Sequence, residues 1–246
     1  MQGERIIHIN HLVKSFEGKN VINGISISLY SGENLVVLGK SGTGKSVIMK
    51  CIVGLMQPDK GSIHVFDQEV TQMSEEELGP IRSRIGYLFQ EGALYDSMSI
   101  RENLLFPALR NPKTKKLSKK ELDQLVEKNL NSVGLSDAVD KMPSELSGGM
   151  KKRAGLARTL MLSPELIIYD EPTTGLDPFT SESISKLILK IQKEYQTSSI
   201  IITHDIKCAE MTGDRITILE GGKLIAEGKA NELKNHEDDE VRMFFK

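Results

Sequence analysis

Leu35-Val36-Val37-Leu38-Gly39-Lys40-Ser41-Gly42-Thr43-Gly44-Lys45-Ser46 decides the reading of this chain. Its first four residues are continuously apolar, as expected of a central parallel strand covered on both faces. Gly39 to Ser46 fits G-x-x-x-x-G-K-[ST] in full. Beyond it Ile48, Cys51, Ile52 and Leu55 recur at helical spacing, so a strand, a glycine-rich loop and a helix are expected across 34–55. Glycines let the backbone fold tightly enough for successive N–H groups to surround phosphate oxygens, and the helix adds the positive end of its dipole. Lys45 then neutralises the β- and γ-phosphates, and the Ser46 hydroxyl is placed to ligate Mg2+. A bare glycine-rich turn is the alternative; the strand–loop–helix context weighs against it. The stretch predicts a nucleoside triphosphate site.

Such a loop needs a second acid for its Mg2+ and a group to direct water. Leu166-Ile167-Ile168-Tyr169-Asp170-Glu171 supplies both. The strand reads as buried, and its carboxylates emerge at the C-terminal end, where open α/β sheets place their ligands. Asp170 is expected in the Mg2+ shell and Glu171 at the attacking water. Strands also end in acids that are merely solvated, and it is the phosphate loop that gives these two a function.

The rest of the chain alternates in character. Ile25, Ile27 and Leu29 alternate with Ser26, Ser28 and Tyr30, an antiparallel half-buried pattern after a turn at Glu17-Gly18-Lys19-Asn20. Ser74-x-x-Glu77 and Ser118-x-x-Glu121 match capping boxes, and Leu122, Leu125, Val126, Leu130 and Val133 give one apolar helix face after the second. A helical insertion is expected over 91–163. A strand at 166–169, a helix from Ser181 to Glu194, a strand at 199–202 and two short strands near Ile216–Leu219 and Leu224–Ala226 resume the α/β rhythm. The predicted fold is α/β: a phosphate-loop core with an N-terminal antiparallel β portion (1–90 and 164–229), a helical insertion (91–163) and a C-terminal extension (230–246). The whole is a single domain.

The 246 residues carry 32 Lys+Arg against 34 Asp+Glu, a net charge of −2, which argues against a polycationic nucleic-acid clamp. No apolar stretch is long enough to cross a bilayer, and Met1-Gln2-Gly3-Glu4-Arg5 has no apolar core of a signal peptide. Two cysteines, Cys51 and Cys208, make no disulfide framework, and a reducing cytoplasm is expected. Lys113, Lys115, Lys116, Lys119 and Lys120 read as a solvated loop and helix start, with anionic lipid headgroups as the other reading.

Leu146-Ser147-Gly148-Gly149-Met150 resembles the signature motif of the nucleotide-binding subunits of ABC transporters. The likeness runs from about Ile6 to Gly228 and implies a RecA-like P-loop ATPase. It implies a head-to-tail homodimer, in which Ser147, Gly148 and Gly149 meet the γ-phosphate held by the other chain. It also implies a Q-loop at Gln90 on the metal, a D-loop at Asp177, a switch histidine at His204 and an adenine-stacking aromatic at Phe16. The bland readings are a solvated or structural His204 and a packing Phe16. Val47 stands where the family often has a hydroxyl near the α-phosphate, leaving its backbone N–H. Met150 stands in place of the common Gln, which leaves the Ser-Gly-Gly contacts untouched.

Met142-Pro143-Ser144-Glu145-Leu146-Ser147-Gly148-Gly149-Met150 resembles more narrowly the MlaF-like ATPases of MCE/Mla phospholipid-trafficking systems. So does Phe89-Gln90-Glu91-Gly92-Ala93-Leu94-Tyr95-Asp96-Ser97-Met98, followed by Glu102-Asn103-Leu104-Leu105-Phe106-Pro107. That group implies ATP and Mg2+, an MlaE-like integral membrane permease, an MCE-domain lipid-binding subunit and a small regulatory subunit. It implies no nucleic acid, and a place on the inner face of the cell membrane. A small-solute importer ATPase has the same chemistry with another partner, and a soluble non-transport ABC protein is disfavoured by the chain's length. Val241, Phe244 and Phe245 in the acidic tail either belong to that group's extension or cap the core.

Overall fold

The computed structural model describes residues 3–245. Two strands, β1 (Arg5–Phe16) and β2 (Lys19–Tyr30), form a hairpin turning at Glu17-Gly18. Ile25, Ile27 and Leu29 of β2 are buried while Ser26 faces out, as the alternation predicts. Strand β3 (Asn34–Leu38) is buried throughout and leads through the glycine-rich loop into α1 (Lys45–Ile52). Leu55 does not continue that helix. Gly54, at φ 70°, turns the chain out of it, and Leu55 is left exposed.

Next come β4 (Lys60–Val65), β5 (Gln68–Glu69), α2 (Glu75–Arg82) and β6 (Ile85–Leu88). Helices α3 (Ile100–Arg110), α4 (Lys119–Ser132) and α5 (Gly148–Leu160) follow, the insertion expected from the sequence. Capping boxes open α2 at Ser74/Glu77 and α4 at Ser118/Glu121, and an unanticipated third opens α3 at Ser99/Glu102. The core resumes with β7 (Leu166–Asp170), α6 (Pro178–Tyr195), β8 (Ser198–Thr203), α7 (Ile206–Thr212), β9 (Arg215–Glu220) and β10 (Lys223–Gly228). Helix α6 begins three residues before the expected Ser181, because Asp177 caps it and Pro178 fits its first turn. The chain closes with α8 (Ala230–Lys234) and α9 (Asp239–Met243). Among the described residues no helix is long and apolar enough to cross a membrane.

Two sheets organise these elements. The larger has strand order β10-β9-β3-β8-β7-β6, parallel from β9 to β6, and the smaller is the antiparallel β2-β1-β4-β5. Period-two alternation splits each central strand between two cores. Leu35 and Val37 join the antiparallel sheet, α1 and α2, while Val36 and Leu38 join the helical insertion, α6 and α7. Strand β7 divides the same way, with Ile168 on the first side and Ile167 and Tyr169 on the second. The loops following β3, β7 and β8 therefore leave the sheet at its C-terminal edge, side by side.

Helix α5 packs against the loop that follows β6 through a backbone contact. A Cβ on Gly155 of α5 would lie 2.7 Å from Gly92 O and 3.0 Å from Gly92 Cα. Gly155→Val is expected to cost about 1–3 kcal/mol by overpacking. That corresponds to a fall in melting temperature of about 2–4 °C per kcal/mol for a chain of this size. An unchanged thermal melt would contradict so close an approach. Cys51 and Cys208 are both buried and unpaired, and burial pushes the Cys51 thiol up to about 11.

Candidate nucleotide site

The loop from Gly39 to Ser46 wraps onto itself. Lys45 Nζ donates to Gly39 O at 2.7 Å and Lys40 O at 2.9 Å, and Thr43 Oγ1 donates to Lys40 O at 2.9 Å. Gly42 and Gly44 take φ 80° and 101°, conformations that a side chain rarely adopts. A Cβ on Gly44 would also fall 2.6 Å from Ile22 Cδ1, so the β1–β2 hairpin lies against the loop. Helix α1 begins at Gly44 with no side-chain cap and no acid in its first turn. Helices α2, α3 and α4 are capped by a serine and a glutamate each. Val47 N–H donates to Gly44 O at 3.0 Å, while the N–H groups of Lys45 and Ser46 have no partner among the described residues. An uncapped helix start of this kind, with a buried ammonium beside it, has the donors and charge to hold an anion.

Glu171 is the hub across from that loop. It sits in the left-handed region at φ 50°, a strain of about 1–3 kcal/mol for a residue other than glycine. The surrounding bonds hold it there. Its N–H donates to Ile202 O at 2.9 Å, and its Oε2 accepts from Thr174 Oγ1 at 3.0 Å. Oε2 also accepts from His204 N at 3.3 Å and lies 2.8 Å from His204 Nδ1, while Oε1 lies 3.4 Å from Lys45 Nζ. One carboxylate thus ties the ammonium of the phosphate loop to the histidine at the end of β8. Next to it, Asp170 accepts from Tyr87 OH at 3.1 Å on Oδ2, and burial raises its carboxyl above the usual range. Burial likewise raises the Tyr87 hydroxyl.

The signature stretch sits on a different wall. Ser147 caps α5, its Oγ accepting from Met150 N at 3.3 Å. No hydrogen bond or ion pair joins Ser147, Gly148 or Gly149 to residues 39–46 among the described residues. Gly148 and Gln90 instead line a separate cleft with Lys152 and Thr174. Gln90 makes no bond to Ser46 or Asp170. Asp177 accepts from Phe179 N at 3.1 Å and Thr180 N at 3.0 Å, and these bonds, that from Thr180 foremost, hold its carboxyl below the usual range. Phe16 ends β1 half-exposed, with Lys14 Nζ 5.6 Å from its ring centroid, and touches no residue of the loop through a hydrogen bond or ring contact.

Three participants have no place in the motif reading. Lys152 Nζ donates to Glu171 O and Thr174 O, and Tyr87 and Thr174 bind the two acids. The tail reaches the loop as well. Glu240, Met243 and Phe244 share a cavity of about 530 Å³ with Gly39, Lys40, Ser41 and His204. Lys40 pairs with Glu220 at 3.0 Å and stands 5.5 Å over the Phe244 ring. Val241 is buried, and Phe244 and Phe245 pack against the core.

No group of three or more His, Cys, Asp or Glu side chains able to hold a metal occurs among the described residues. That suits magnesium, which is bound through one or two carboxylates together with substrate phosphates rather than in an all-protein cage. The Ser46 hydroxyl at the start of α1 and the half-buried Asp170 carboxylate are oxygen donors that such a site can use.

The family described as ABC transporter matches residues 22–174. Over 97% of this chain, the probable ribonucleotide transport ATP-binding protein mkl of Mycobacterium tuberculosis is 39% identical, and the match covers 66% of its length. The methionine import ATP-binding protein MetN 4 of Oceanobacillus iheyensis is 38% identical over 93% of the chain and 66% of its own length. The chloroplastic protein TRIGALACTOSYLDIACYLGLYCEROL 3 of Arabidopsis thaliana is 36% identical over 97% of the chain and 73% of its length. The chain thus spans about two thirds of these relatives. Among solved structures, CbiO1 of Clostridium perfringens, part of the ABC transporter complex CbiONQ, superposes with a TM-score of 0.87 at 30% identity, covering 98% of this chain and 94% of that one. The ATP-binding cassette MJ0796, dimeric in a post-hydrolysis state with ADP and Pi, superposes with a TM-score of 0.83 at 27% identity, covering 91% and 98%. Matched in sequence across its phosphate loop and in fold across nearly its whole length, the chain belongs to the ABC transporter family as one of its ATPase cassettes.

Proposed function

We propose that two copies of this chain bind ATP and Mg2+ head to tail, hydrolyse the ATP, and so drive a membrane permease that moves phospholipid. The observation that carries the hydrolytic part is the pairing of an uncapped, acid-free start of α1 with a strained Glu171 held between Lys45 and His204. In this reading the loop N–H groups, Lys45 and Ser46 hold the phosphates, and Glu171 orients the attacking water. His204 fixes the carboxylate from the opposite side. Magnesium, when bound at Ser46 and Asp170, neutralises phosphate charge. Ser147, Gly148 and Gly149, which make no hydrogen bond or ion pair to the phosphate loop of their own chain among the described residues, are available to the partner's nucleotide. The dimeric form of MJ0796 supports that arrangement.

For the cargo, two things favour lipid. The 89–107 segment resembles the phospholipid-trafficking group, and the Arabidopsis relative bears the name of a galactolipid. The same segment exposes Phe89 and Tyr95, with the Tyr95 ring tilted against Phe106 at 4.7 Å between centroids, and Leu109 just beyond it is exposed as well. An apolar strip of this kind fits a permease helix at the inner face of the membrane. The MetN relative, named for methionine import, favours the second reading, a small-solute importer. Purifying the chain with its permease and analysing the extract by mass spectrometry separates them. Phospholipid bound in stoichiometric amount, with ATP turnover stimulated by phospholipid vesicles, is the expected result. A complex stimulated only by an amino acid and its binding protein would overturn the lipid reading.

A further inference from the structure

Lys152 is almost wholly buried, at 5% exposure, in the face of α5 that meets the sheet. Its ammonium donates to Thr174 O at 2.8 Å and to Glu171 O at 3.1 Å, and it forms no ion pair with a carboxylate. We infer that Lys152 is a positioning residue for hydrolysis, an ammonium strut by which helix α5 fixes the turn carrying the Glu171 carboxylate. The inference rests on the reading of Glu171 as the group that orients water.

Stability does not account for a lysine here. Burying an ammonium costs free energy that carbonyl partners only partly offset, and an apolar residue of similar volume would fill the same space at no such cost. Burial pushes the Lys152 ammonium down to about 8, the cost of its position written as acidity; the nearby Glu171 carboxylate and Cys208 act the other way. What the lysine does provide is geometry. Glu171 is strained, and its turn from Glu171 to Thr174 closes through a long Thr174 N to Glu171 O bond of 3.3 Å. The ammonium grips both ends of that turn at once.

The strut also has a direction. Lys152 stands on the helix that Ser147 opens, little more than a turn from its start. A movement of α5 therefore carries the Glu171 carbonyl with it. In a head-to-tail dimer, the start of α5 faces the nucleotide of the other chain, whereas Glu171 faces its own. Lys152 thus links closure on one nucleotide to the setting of the carboxylate at the other.

Steady-state ATP turnover by the full-length chain tests this with Lys152→Met and Lys152→Arg. The Met variant should lower kcat about ten- to a hundredfold, the scale of a misplaced catalytic group. Its KM for ATP should stay within about twofold, since ground-state binding is untouched. The Arg variant, whose fork can reach both carbonyls, should restore kcat to within about threefold of the wild type. A Met variant with wild-type kcat overturns the inference, and so does an equal fall in kcat with a raised KM in both variants, which marks a structural role. If the Met variant does not melt cooperatively, Lys152→Gln is read by the same split. Glu171→Gln is assayed beside them. Normal turnover there sinks the reading of the site itself, while an inactive Glu171→Gln with an unimpaired Lys152→Met sinks only the strut.

Discussion

Glu171→Gln is expected to lower ATP turnover by about 10²–10⁴-fold, the usual contribution of a positioned general base. The substitution keeps the shape of the side chain and its bond from Thr174, and removes the charge that meets Lys45 at 3.4 Å and His204 at 2.8 Å. ATP binding should survive or tighten, because a negative charge has been removed from the neighbourhood of the phosphates. With hydrolysis blocked, the closed pair should accumulate, and gel filtration in ATP and Mg2+ should show a dimer that the unsubstituted chain does not hold. Rapid turnover by the variant would remove Glu171 from its role. Normal ATP binding with no dimer would separate hydrolysis from closure and contradict the head-to-tail arrangement.

Ser147→Arg should abolish turnover while leaving ATP binding to the single chain intact. Ser147 caps α5, so about 1 kcal/mol of stability goes with its hydroxyl. That loss is too small to unfold a cassette of this size. The larger effect is spatial, since a guanidinium would occupy the place where the partner's phosphate is to approach. Equilibrium dialysis with a non-hydrolysed ATP analogue should give an affinity near that of the wild type, alongside a turnover near background. Full activity would show that the site needs no second chain.

Much of the cassette is legible in the sequence because its signals are local. The apolar runs 35–38 and 166–169 report two-sided burial, and the phosphate loop fixes its own strand and helix. Where pairing partners decide, the sequence is silent. The β4–β5 strands pass unnoticed because Ile63 and Val65 are too few to set a pattern, and only the pairing of β4 with β1, and of β5 with β4, makes them strands. The bond from Tyr87 to Asp170 depends on β6 running beside β7 with Leu88 opposite Tyr169, a register that no local spacing encodes. Two further features are legible from local spacing alone. Ser99-x-x-Glu102 repeats the pattern recognised at Ser74 and Ser118, and Asp177-Pro178 announces the start of α6. Lys152 carries a fainter sign, a charge three residues after Gly149 and three before Gly155 on the buried stripe of α5.

Helix α1 is left without a cap of its own, and nucleotide bound at its start, as proposed, would make the chain's folding equilibrium depend on its substrate. A ligand that binds only the folded form adds stability in proportion to the logarithm of its concentration, about 2.7 kcal/mol at a hundred times its dissociation constant. A cassette well supplied with nucleotide would sit that much farther from unfolding and from proteolysis than one that has been starved. Cellular energy status would then set how long each copy survives as well as how fast it works.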